Sequence, residues 1–122
     1  HIAGYSRDGK AIGTMMSIRA VSRFFKLGID DWQPTGVELP EQTLIQLDGH
    51  KKDEESVLAE AVLATYDILA DDKRLRAAAP GSFEHLRGEY PVRREFHNYR
   101  IEVRNVHKST VSALKRMGFQ LP

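Results

Sequence analysis

Residues 43–70 read TLIQLDGHKKDEESVLAEAVLATYDILA, and this stretch decides the fold class. Thr43–Leu47 reads as a short strand, closed by the turn pair Asp48-Gly49. Asp53 then stands where a helix N-cap belongs, and Glu54 and Glu55 suit the positive end of a helix dipole. Val57, Leu58, Ala61, Val62, Thr65, Ile68 and Leu69 recur at spacings of three and four, which predicts a helix over about 54–70. A strand running into an amphipathic helix points to a sheet with helices laid against it.

Working outward toward the C-terminus, Tyr99-Arg100-Ile101-Glu102-Val103-Arg104 alternates with period two, so Tyr99, Ile101 and Val103 are expected to face inward. Val92–Phe96 is a candidate partner strand across His97-Asn98. A last helix is expected over Thr110–Met117, capped by Ser109 and ended by Gly118, with Phe119 folded back on Leu114. Toward the N-terminus, Asp8-Gly9 has the composition of a tight hairpin turn between two short strands, Ile2–Arg7 and Lys10–Met15. Ser17 caps a further predicted helix that runs to Leu27 and stops at Gly28. Its apolar stripe is Ile18, Val21, Phe24 and Phe25. Residues 28–42, with Pro34, Gly36 and Pro40, read as loop. The expectation is one α+β domain over 1–122, with a small mixed or antiparallel sheet and about three helices packed on one face.

Composition narrows the class. Of 122 residues, 41% are hydrophobic and 29% charged, the balance of an ordinary globular domain that can bury a core. Cysteine is absent, which excludes disulfides and thiolate chemistry within the chain and fits a reducing compartment. No apolar run approaches the roughly 18 residues of a membrane span, so no membrane contact and a cytoplasmic location are expected. The net charge of +1 conceals three blocks. Residues 1–26 and 73–122 are basic, whereas 27–72 hold twelve acids against two bases. Such polarity favours pairing between copies, so a homodimer is expected, its interface on the hairpin or the long helix.

Motifs for chemistry are sparse. The five histidines show no paired-ligand spacing, and neither a metal nor a cofactor is expected. Gly4–Ala11 has the spacing of a P-loop and resembles that family over eight residues, but Ala11 replaces the hydroxyl that would hold magnesium. The stretch from Ile101 to Phe119 resembles the closing strand and helix of GNAT acetyltransferases. His107, Thr110 and Leu114 depart from that pattern, and no pyrophosphate loop lies upstream. The two resemblances imply, as an alternative, a small transferase-like enzyme using an acyl or nucleotide donor.

The strongest lead is the interleaving of arginines and aromatics between Phe83 and Lys108. Arginine forks grip phosphates and exposed rings stack bases. Arg93, Arg94, Arg100, Arg104 and Tyr99, helped by Arg19 and Arg23, are therefore the expected face for nucleic acid or another polyanion. On that reading the chain is a non-enzymatic binding or regulatory protein with no catalytic residues. An acidic protein is the other partner expected for that basic face, and a further alternative is an inhibitor or immunity-type protein that docks its acidic Asp48–Asp72 segment on a basic target.

Overall fold

The computed structural model describes residues 5–122. The elements are α1 (Arg7–Phe25), β1 (Leu44–Asp48), α2 (Glu54–Thr65), α3 (Ile68–Ala77), α4 (Phe83–Gly88), a 3-10 turn (Phe96–Asn98), β2 (Arg100–Arg104) and α5 (Lys108–Met117). The fold is α+β, as expected, but the sheet is parallel. β1 pairs with β2 in a register that sets Ile45 against Ile101 and Leu47 against Val103. Beyond β2, Gln120 adds one bridge: Ile101 N–H donates to the Gln120 carbonyl at 2.7 Å.

Two strand–helix units, β1–α2 and β2–α5, lie side by side. Their helices pack on each other, and α2 packs on β1. The inward residues of both strands meet them, so the core is Ile45, Leu47, Val57, Ala61, Tyr99, Ile101, Leu114 and Phe119. Phe119 follows the left-handed Gly118 and stacks on Phe96 with ring centroids 4.6 Å apart. The expected return of Phe119 onto Leu114 is present, and its N–H donates to the Leu114 carbonyl at 3.2 Å. The strand-to-helix loops also touch. A Cβ on Gly49 would stand 2.6 Å from Val106 Cγ1 and 2.7 Å from the Asn105 carbonyl oxygen, which only glycine avoids.

Three expected elements differ. The Asp8-Gly9 hairpin is instead the first turn of α1, which runs unbroken over 19 residues. Ser6, not Ser17, is its cap, accepting the Gly9 N–H at 2.9 Å, and Asp8 suits the first turn. The Ile2–Gly4 part of that predicted strand, and the opening Gly4 of the P-loop resemblance, lie outside the described residues. The helix expected over 54–70 breaks at Tyr66, which is extended, and Asp67 caps α3 by accepting the Ala70 N–H. Val92–Phe96 is not a strand: β2 takes β1 on one side and Gln120 on the other.

Candidate functional site

The predicted arginine face does not assemble. Arg94 is 7% exposed and Tyr99 1%, so neither can grip a phosphate or stack a base. Tyr99 is a core residue whose hydroxyl donates to the Thr65 carbonyl at 3.1 Å, holding the last turn of α2 against β2. Burial in that core raises its phenol pKa. Arg93 is half-buried, its guanidinium 5.9 Å from the centre of the Tyr66 ring. Arg100 and Arg104 do share the outer face of β2, as alternation requires, but Glu102 stands between them and Asp48 is opposite Arg104 in the register. Arg100 lies 3.8 Å from Glu102, which also accepts a hydrogen bond from Gln46 at 3.2 Å. That sheet face is charge-mixed rather than basic. Arg19 is spent on the Trp32 carbonyl at 3.1 Å, and Arg23 is exposed at the far end of α1.

What the fold builds instead is a buried ionic cluster around Asp8. Arg94 meets its carboxylate in fork geometry, Nε to Oδ2 and Nη2 to Oδ1, each at 2.9 Å. The Glu95 N–H donates to the same carboxylate at 2.7 Å, and the Asn98 amide donates at 3.2 Å. Arg94 spends its remaining donors on the Val37 and Glu38 carbonyls and on Asn98 Oδ1. Burial alone would raise the Asp8 carboxyl, but these donors together hold it down at about 2. Sequence reasoning missed this cluster because it assigned Asp8 to a hairpin turn. The available signal was that Asp8 is the single acid in the basic N-terminal block.

A second polar junction joins the N-termini of α2 and α5. Glu54 accepts from the Ser109 hydroxyl at 2.6 Å and the Thr110 hydroxyl at 3.1 Å, which lowers its pKa. Ser109, predicted as a cap, therefore serves as a strap, and His107 takes the cap position. A polar cavity of about 230 Å³ adjoins this junction, lined by Gly49, His50, Lys52, Asn105, His107 and Thr110. Among the described residues no group of three or more His, Asp or Glu side chains could hold a metal ion. No helix of the described chain is long and apolar enough to cross a membrane.

Among the described residues, α1 and the segment after it carry a run of uncovered apolar side chains. Met16, Phe24, Phe25 and Leu27 are 62%, 80%, 64% and 56% exposed, and Ile12 and Val21 are also open. Over its length α1 makes at most slight contact with the other named elements. An exposed apolar surface of this kind is a candidate contact surface.

Known proteins resemble the chain along nearly its whole length. It is 36% identical over 129 aligned residues, 99% of the chain, to the erythronate-4-phosphate dehydrogenase of Marinobacter nauticus. Identity is 44% over 84% of the chain with the Bacteroides fragilis protein of that name, and 41% over 84% with that of Saccharophagus degradans. The chain spans only between a quarter and a third of the length of these relatives. These matches overturn the expectation of a small non-enzymatic nucleic-acid-binding or regulatory protein, and with it the alternatives of a transferase-like enzyme with an acyl or nucleotide donor and of an immunity-type protein. All three relatives carry the same dehydrogenase name. Residues 38–118, well over half of the chain, match the model described as Domain of unknown function (DUF3410), and the chain belongs to that family.

Proposed function

We propose that the chain is part of an erythronate-4-phosphate dehydrogenase, in which residues 38–118 form an assembly module. The observation that carries this reading is the similarity of 36–44% to proteins of that name across most of the chain. The geometry supports it in two ways. The strongest ionic cluster, around Asp8, is internally satisfied and so acts as structure rather than as a substrate site. The uncovered apolar side of α1 suits a segment that packs on a larger body, and these relatives are at least three times the length of the aligned stretch.

The enzyme's substrate on this reading is erythronate 4-phosphate, its location is the cytoplasm, and it works as a homodimer. A second copy is favoured by the open apolar groove between α2 and the end of α5, lined by Leu58, Ala59, Val62, Leu63 and Met117. The test is turnover by the full-length polypeptide that contains this chain. With erythronate 4-phosphate and a two-electron acceptor, oxidised substrate and reduced acceptor should appear in equal amounts. Absence of erythronate 4-phosphate oxidation across a panel of two-electron acceptors overturns the assignment.

A further inference from the structure

We infer that the Asp8–Arg94 pair is the joint that fixes the direction of α1 relative to the 38–118 domain. The inference rests on the reading that α1 packs on the remainder of a dehydrogenase.

Among the described residues, the hydrogen bonds and ion pairs from α1 to the distant chain gather at its first turn. Arg7 N–H donates to the Arg93 carbonyl at 2.8 Å, the Arg7 side chain pairs with Glu38 at 3.0 Å, and Asp8 takes the Arg94 fork. Farther along, the bonds of α1 turn back to its own following segment: Arg19 to Trp32, and Ser22 to Ile29 and Asp30. Nineteen residues at 1.5 Å rise make a rod of about 28 Å held at one end. A small rotation at the first turn is therefore magnified at Phe24 and Phe25, where the exposed apolar surface lies.

Arg94 is the point where three segments meet. Its fork holds Asp8 of α1, its Nη1 holds the carbonyls of Val37 and Glu38 where the family domain begins, and its Nη2 also holds Asn98. Asn98 belongs to the 3-10 turn that runs into Tyr99 and β2. The direction of α1 is thus referred directly to the sheet. A buried ion pair is a poor source of net stability compared with an apolar pair of equal volume, but its geometry admits one arrangement. Fork recognition through several directional hydrogen bonds sets an angle that an apolar contact would leave free.

The experiment uses the full-length polypeptide with spin labels on two exposed positions, Arg23→Cys on α1 and Lys115→Cys on α5, in a background with other reactive cysteines replaced. With labelled subunit diluted in excess unlabelled subunit, so that only distances within one copy are read, the parent should give one narrow distribution. Asp8→Asn and Arg94→Lys should each widen it at least twofold while the core remains folded by circular dichroism. Should either single variant fail to fold, Asp8→Leu/Arg94→Met leaves no unpaired charge, and it is expected to fold and to show the wide distribution. A narrow, unshifted distribution in the folded variants overturns the joint. Turnover of erythronate 4-phosphate by the unlabelled parent reports separately on the enzyme assignment, since the distance measurement reads the joint whether or not that substrate is used.

Discussion

At the scale of single residues, Asp8 has a pH signature. Its folded pKa of about 2 lies below the ordinary value of 3.8, so the unfolded chain binds the proton more readily. The stabilisation is fully present above about pH 4 and is lost as pH falls toward 2. Its size is on the order of 2 kcal/mol. Denaturant titrations between pH 2 and 5 should show this acid limb, and Asp8→Asn should flatten it. The same substitution leaves Arg94 buried without its countercharge and should cost about 3–5 kcal/mol at neutral pH. An unchanged acid limb in Asp8→Asn would assign the pH dependence to other carboxylates. Gly49→Ala makes a second case. Its new methyl would press on Val106 and the Asn105 carbonyl, forcing apart the loops that enter α2 and α5. A loss of about 1–3 kcal/mol in urea unfolding is expected. Tyr99→Phe, which removes the hydroxyl that donates to the Thr65 carbonyl, should cost about 1 kcal/mol.

At the scale of elements, stability should be uneven. α2 contributes Val57 and Ala61 to the core, and α5 contributes Leu114, whereas neither α3 nor α4 has a buried residue. Local opening costs least where little apolar contact is lost. Hydrogen exchange should therefore protect amides of α2 and α5 at least tenfold more than those of α3 and α4, and equal protection would refute this ranking. The same contrast explains what the sequence made legible. β1, α2, β2 and α5 were readable because each carries its apolar residues on the face that meets the core, and local periodicity records that. The α1 start was misread because Asp8-Gly9 is equally at home in a turn or a first helical turn, and what decides is Arg94, 86 residues away. Parallel pairing of β1 with β2 is likewise set by the crossover between them, which no local pattern encodes. The arginines failed as a site for a related reason. Composition counts Arg94 with Arg100 and Arg104, yet one is spent inside the fold while the others alternate with carboxylates outside it.

For the whole molecule, the charge blocks seen in the sequence are only partly neutralised within one copy. The Asp8–Arg94 and Arg7–Glu38 pairs join distant segments, but the Asp71–Arg74 and Asp72–Arg76 pairs are local to α3. Exposed local pairs of this kind add little. Beside them, the open apolar groove formed by Leu58, Ala59, Val62, Leu63 and Met117 runs along α2 next to Glu54 and Glu55. A two-fold pairing would cover this groove with its own counterpart and bring it out of water at both copies, as an isologous interface requires. Light scattering of the full-length polypeptide at micromolar concentration and 150 mM salt should therefore give twice the subunit mass. Leu63→Asp, which sets a carboxylate in the groove beside existing acids, should return the subunit mass without changing the circular dichroism of the fold. A parent that scatters at the subunit mass, or a Leu63→Asp variant that remains paired, would place this groove outside the contact between copies.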